Sequence, residues 1–387
     1  MKNAVLPGVC LGLAVSAGIA PPALADGAGA VSHVSVADPN IAYSPFNWFQ
    51  NNEYAQSPNP GAYLKMGFTG TSLTVNIDVS PEAAANVPNA HYPLIRYSVD
   101  NKRPVTLQLT PETRTIPCAS GLGSGNHTLL LQYVAGYVFL DFWTPVNVLR
   151  ITGFTLDAGA STAPPSGAVA VQPKTALFYG DSITNGDNTV TTFTGGVTND
   201  VETQDATVGY VQPVAAALRA EYGIVAYGGA SWHSNAADGH TPGLMAFWNA
   251  YDASHSRLVA GKLIPIPNDI FINMGENAGP APGEVSSLLA LLRAASSADT
   301  DIWVIVPFSG RARAALTEGV AAYQRANRKD GHIYLLDIGD SPYLTNAGET
   351  MMAVDGQHPS AALNALLAAQ LVQARQEKLS ASGKRHR

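Results

Sequence analysis

Three short segments carry residue types that could together perform acyl chemistry. Gly180-Asp181-Ser182 puts a hydroxyl directly after an apolar run, and Gly275-Glu276-Asn277 puts a carboxamide after another. Asp355-Gly356-Gln357-His358-Pro359 sets a carboxylate three residues before an imidazole. A serine hydroxyl is a weak nucleophile until a base takes its proton. An imidazole, with an ordinary pKa of about 6.5, can accept that proton near neutral pH and return it to a leaving alcohol. A carboxylate beside the ring can hold it in the required tautomer. Each segment alone also has an ordinary structural reading: Ser182 as a helix-start residue, Asn277 as a loop residue, and Asp355 and His358 as a turn before a proline-initiated helix. The surroundings of Ser182 are not Gly-x-Ser-x-Gly, so the α/β-hydrolase elbow is absent.

The elements that must position these residues can be read from hydrophobic periodicity. From Lys174 onward, short apolar runs alternate with amphipathic segments. Strands are expected at 176–179, 224–227, 269–273, 302–307 and 333–337, and helices at 210–222, 284–295, 311–327 and from Pro359 on. Continuous apolar strands between amphipathic helices imply a parallel sheet covered on both faces. Sites in such sheets lie at the carboxyl ends of the strands, where all three segments fall. The chain before this reads differently. Leu73, Val75, Ile77 and Val79 alternate with polar residues, and further short runs occur at 62–68, 94–99, 105–109, 128–133 and 148–156, separated by turn-formers. That pattern implies an all-β sandwich or jelly roll. Between them, 158–173 is rich in Ala, Ser, Gly and Pro and reads as a linker.

The three segments, in this order and at these strand ends, resemble the SGNH/GDSL hydrolases over residues 174–375. The β-domain before them resembles the arrangement of family 2-like carbohydrate acetylesterases. The resemblance implies an α/β fold: a three-layer α/β/α flavodoxin-like SGNH domain at 174–380, preceded by a β-sandwich (jelly-roll) domain at 26–157. It implies a Ser182, His358 and Asp355 triad. The implied oxyanion donors are the Ser182 N–H, the Asn277 amide and an N–H from Gly228-Gly229-Ala230-Ser231, with Gly229 chosen. Ala278 departs from the pattern, because the family commonly has Asp after this Asn. Asp181 is expected to cap the turn after it. Trp232, Trp248 and Tyr251, on the long connection after the second strand, either stack on sugar rings or pack the loop onto the sheet.

The implied activity is an esterase removing O-acetyl groups from an oligo- or polysaccharide, with no cofactor and no metal. A polysaccharide O-acetyltransferase using the same triad, and a glycan-binding protein with an inert SGNH domain, are the alternatives. His233, His240 and His255 share a loop-rich region, without the ligand spacing of a zinc site.

Composition sets the outer limits. The chain has 387 residues and a net charge of −7, with 46% hydrophobic and 13% charged residues, so it can bury large cores, and nothing in its charge argues for a nucleic-acid partner, which would want a basic face. Residues 1–25 read as a signal peptide: Lys2, an apolar run from Ala4 to Ala20, and Ala23-Leu24-Ala25 before the cleavage point. No later segment is apolar enough to span a bilayer, so a periplasmic or secreted protein without stable membrane insertion is expected. Removal of Cys10 with that segment would leave Cys118 as the one thiol. The last residues, 381–387, read as a basic tail.

Overall fold

The computed structural model describes residues 30–190, 200–339 and 356–383. The signal-peptide reading, Asp355 and the basic residues of the tail from 384 on lie outside these residues.

The N-terminal part is a sandwich of antiparallel sheets. One sheet runs β3 (Phe49–Gln50), β4 (Ala55–Ser57), β11 (Leu149–Leu156), β6 (Leu73–Ile77), β9 (Thr115–Ala119), with β1 (Ser32–Val34) beside β11. The other runs β12 (Thr162–Ala163), β5 (Tyr63–Thr69), β10 (Asn126–Ala135), β7 (Leu94–Val99), β8 (Val105–Gln108), with β2 (Ile41–Tyr43) beside β5. Period-2 alternation builds the shared core. Leu73, Val75 and Ile77 of one sheet point inward with Phe154 and Leu156, facing Leu64, Met66, Leu129 and Leu131 of the other. Thr74 and Asn76 alternate outward.

The second part holds a parallel sheet in the order β14 (Ala220–Ala226), β13 (Lys174–Gly180), β19 (Asp269–Asn273), β20 (Asp301–Ile305), β21 (Ile333–Leu336). Numbered within this sheet, the order is 2-1-3-4-5, which is flavodoxin-like and reverses direction beside its first strand. Helices α3 (Val211–Leu218) and α7 (Ala361–Ala381) pack on one face with Phe178, Phe271 and Trp303. Helices α5 (Pro282–Ala295) and α6 (Arg313–Ala326) pack on the other with Ile270, Ile272 and Val304. The connection after β14 carries a short helix α4 (Leu244–Phe247) and two small hairpins, β15–β16 (Ala250–Asp252, His255–Ser256) and β17–β18 (Leu258–Val259, Lys262–Leu263).

Two expectations need correction. Residues 220–222 read as the end of a helix, but Arg219 adopts a left-handed conformation (φ 53°) that stops α3, and the chain pairs in register from Lys174↔Ala220 onward. Residues 158–173 are no free linker. Thr162 and Ala163 pair with Phe68 and Gly67, and Val169 is buried. Gly67 permits this approach, since a Cβ there would meet the Ala163 and Pro164 carbonyls at 2.7 Å.

The β-domain covers the exposed edge of the parallel sheet. The Asn47 amide donates to the Ile224 carbonyl (2.5 Å) and accepts from the Ile224 N–H (3.3 Å), so one buried side chain replaces a missing strand partner. Glu221 accepts from Lys65 (2.7 Å), from the Tyr63 hydroxyl and from the Gln172 N–H (2.7 Å). The two domains therefore share a bonded seam along β14.

Candidate active site

Ser182 opens a one-turn helix α2 (Ser182–Asn185) immediately after β13, the strand beside the point where the sheet order reverses. A crevice outside that point is where open α/β sheets bind ligands. The turn is tight. A Cβ on Gly180 would overlap the Thr184 hydroxyl, so only glycine lets the strand run so closely into the helix. Asp181 caps the turn as expected, its carboxylate accepting from the Ile183 N–H (3.2 Å). Gly186, in left-handed conformation (φ 82°), ends it. Ser182 itself is 4% exposed.

The neighbouring strands deliver the other groups. After β14, the Ala230 N–H is committed to the Tyr227 carbonyl (3.2 Å) and the Ser231 N–H to the Ser234 carbonyl (3.3 Å). Among the described residues, the N–H groups of this segment with no acceptor assigned are therefore those of Gly228 and Gly229. Gly229 has φ 75°, which favours glycine. After β19, the Asn277 side-chain amide donates one hydrogen to the Ala230 carbonyl (2.9 Å). A primary amide has two N–H donors, so the second is available to an oxyanion. Arg311 donates to the Glu276 carbonyl (2.9 Å) and lies 3.4 Å from its carboxylate, fixing the peptide unit that precedes Asn277.

His358 is 8% exposed and precedes α7, whose first residue is tied to the Ser182 segment by the Ala361 N–H donating to the Thr189 carbonyl (3.1 Å). The Ser360 hydroxyl caps α7 by accepting from the Leu363 N–H (3.3 Å). His358 stands near enough to act on Asp181. Burial above all raises the Asp181 carboxyl to about 7, with the Ile183 N–H opposing, Glu276 and Asp187 adding to the rise, and the His358 imidazole lowering it. Asp181, Asp187 and Glu276 are all buried at this strand edge.

The aromatic residues expected on the connection after β14 take the packing alternative. Trp232 is fully buried, with its indole N–H donating to the Met274 carbonyl (3.0 Å). Trp248 is buried in the same core, and its carbonyl accepts from the Tyr179 hydroxyl (2.7 Å) and from Arg257 (3.0 Å). Tyr251 lies under the Arg257 guanidinium (5.0 Å), itself buried and donating to the Phe46 carbonyl (2.8 Å). The stacking reading of Trp232 and Trp248 is thus corrected: neither ring has a face open to a sugar.

The β-domain carries an exposed aromatic on the loop after β10. The loop after β10 leans on the end of β14, where a Cβ on Gly228 would overlap Val138 and the Asp187 carboxylate. Beside it, Tyr137 stacks on His91 (3.6 Å, 8°) and contacts Phe139 edge-on (5.7 Å), whose ring is 48% exposed. The alternation Tyr137-Val138-Phe139 past a strand was a readable signal, but not one that located the loop.

The three loop histidines go to three different acids: His233 to Glu284 (3.4 Å), His240 to Asp141 (3.5 Å) and His255 to Asp252 (2.8 Å). No group of three or more His, Cys, Asp and Glu converges on one point among the described residues.

Comparison with known proteins bears on this geometry. Residues 48–165 match the family model described as the carbohydrate esterase 2 N-terminal domain. The chain has the two-domain fold of a family 2 carbohydrate esterase. A family two carbohydrate esterase from Cellvibrio japonicus superposes with a TM-score of 0.70 at 16% identity, over 91% of this chain and 98% of that one. An acetyl xylan esterase from Butyrivibrio proteoclasticus gives 0.69 at 14% identity, over 90% and 99%. A family two carbohydrate esterase from Clostridium thermocellum, in complex with cellohexaose, gives 0.67 at 21% identity, over 88% and 99%. A comparison with curated proteins returned no match. The parallel α/β domain and the β-sandwich before it are the folds expected from the sequence.

Proposed function

We propose that this chain is an exported serine esterase that hydrolyses O-acetyl groups on a carbohydrate through Ser182. The observation that supports the reading is the placement of Ser182 at the end of β13, beside the point where the sheet order reverses, with Asn277 after the flanking β19 bonded to the Ala230 carbonyl after β14, and His358 acting on the Asp181 carboxyl next to Ser182. The likeness to carbohydrate esterases supports the substrate class.

The chemistry follows from the groups. His358 takes the Ser182 proton as the hydroxyl oxygen attacks the ester carbonyl. The oxyanion is met by the Ser182 N–H, the Gly229 N–H and the second Asn277 N–H. The imidazolium returns its proton to the departing sugar hydroxyl, leaving acetyl on Ser182. Water, deprotonated by the same imidazole, then releases acetate and restores the serine. Asp355, three residues before His358, is assigned to orient the ring. Phe139 and Tyr137 offer a face on which a sugar ring can rest beside the site.

The test is acetate release from acetylated xylo-oligosaccharide and acetylated cello-oligosaccharide. Release by the wild type and none by Ser182→Ala is the expected result, and equal release by both would overturn the reading. The secreted or periplasmic location is part of the proposal. No helix among the described residues is long and apolar enough to cross a membrane.

A further inference from the structure

At the opposite edge of the parallel sheet, where β20 and β21 begin, a groove of about 680 Å³ opens between the end of α6 and the start of β21. Its lining includes Arg293, Tyr323, Arg325, Arg328, Lys329 and His332. The run 325–329 is exposed and holds three cations within five residues of a chain whose net charge is −7.

The carboxylate nearest in sequence does not neutralise them. Asp330 accepts from Arg293 Nε (2.8 Å) and Nη2 (3.1 Å), from the Tyr323 hydroxyl (2.9 Å) and from the His332 N–H (3.1 Å). A carboxylate offers about four acceptor positions, so Asp330 is saturated. Arg293 is consumed as well, also donating to the Ser297, Thr300 and His332 carbonyls. His332 is held by Asp301 (2.7 Å). Among the described residues, Arg325, Arg328 and Lys329 make no ion pair or side-chain hydrogen bond. The dipole of α6 accounts for one cation in its last turn, Arg325, but its influence fades beyond the helix end at Ala326. Arg328 and Lys329 lie past that point, exposed and beyond the reach of the dipole.

We propose that this groove is a second binding site, for a carboxylate-bearing oligosaccharide such as a uronate-containing chain. The class rests partly on the carbohydrate reading of Ser182. Two guanidinium groups can pair bidentately with planar carboxylates, and a lysine adds a point charge. The carboxamide of Asn327, also in the lining, suits sugar hydroxyls. The overall negative charge disfavours a duplex polyphosphate or an anionic bilayer, both of which present charge over an area larger than this patch. A glycan held here, on the side of the sheet away from Ser182, would keep the enzyme on its polymer while another stretch of chain is deacetylated.

Binding of a galacturonate oligomer to the full chain is measured by calorimetry at low and high NaCl. A neutral xylo-oligosaccharide and phosphatidylglycerol vesicles serve as comparisons. Wild type and Ser182→Ala are expected to bind the galacturonate oligomer equally, with affinity falling as salt screens the charges. Arg325→Gln/Arg328→Gln/Lys329→Gln is expected to bind it about tenfold or more weakly, as the summed loss of three exposed charge contacts implies. The same variant should hydrolyse p-nitrophenyl acetate at the wild-type rate, which also shows that it is folded. No binding by wild type, unchanged binding by the triple variant, or binding lost in Ser182→Ala would each overturn the site. So would binding to the vesicles or the neutral oligomer but not to the galacturonate oligomer. Failure of the esterase reading would show separately, as absent ester hydrolysis in wild type with groove binding intact.

Discussion

The Asn277 amide donates to the Ala230 carbonyl across 2.9 Å, and so joins the ends of the two strands that flank Ser182's own. The bond fixes the orientation of the carboxamide before any substrate arrives, which is the condition for a donor to favour a developing oxyanion. Asn277→Ala is expected to lower kcat for acetyl ester hydrolysis about 10²–10³-fold with a small change in KM, in line with loss of one oxyanion donor. Asn277→Asp, which replaces donors with acceptors, should be no better. Steady-state kinetics on p-nitrophenyl acetate checks both.

Asp181 gives a pH signature. Its folded pKa of about 7 lies above the ordinary carboxylate value, so the folded state holds a proton that the unfolded chain has already released. The associated stability is fully present below about pH 4 and is lost as pH rises through about 7. Asp181→Asn keeps a capping side chain without titrating. Wild type should therefore lose stability relative to Asp181→Asn between these pH values, by a few kcal/mol at about 1.4 kcal/mol per pKa unit. Urea midpoints of the two proteins across this range provide the measurement, and parallel profiles would contradict the shift.

Asn47 holds the domain seam. Truncation to alanine leaves the buried N–H and carbonyl of Ile224 without this partner. At about 1–3 kcal/mol for an unsatisfied buried group, Asn47→Ala should destabilise the fold by about 2–4 kcal/mol. A lowered urea midpoint, with ester hydrolysis retained below the transition, is the expected outcome.

Cys118 is expected to be inert in the native state. Burial pushes its thiol up to about 12, a Val75 backbone hydrogen bond opposing. The thiolate is the reactive form, so iodoacetamide at pH 8 should label the protein only in denaturant. Intact mass before and after unfolding reads this out.

What the sequence disclosed and what it hid have separable physical causes. Period-2 alternation at Leu73, Val75 and Ile77 and the continuous apolar run of β13 are local patterns, and both elements are where periodicity placed them. The positions of Ser182 and Asn277 just beyond strand ends were legible because each follows such a run. The helix reading of 220–222 failed where the pairing of β14 with β13 outweighed local preference, past a left-handed Arg219. The Asn47 bond to Ile224 spans 177 residues, and the Arg257 bond to Phe46 spans 211, so no spacing rule could show either. For the same reason the burial of Trp232 and Trp248 could not be read from their place on the connection after β14.

The central claim is that Ser182 is the nucleophile, and covalent trapping tests it most directly. The wild type is treated with an aryl alkylphosphonate ester, and the labelled peptide is mapped by mass spectrometry. One adduct on Ser182, forming in step with loss of acetyl ester hydrolysis and absent from Ser182→Ala and His358→Ala, is the expected result. Full inactivation with the adduct on another residue, or undiminished hydrolysis by Ser182→Ala, would contradict the account.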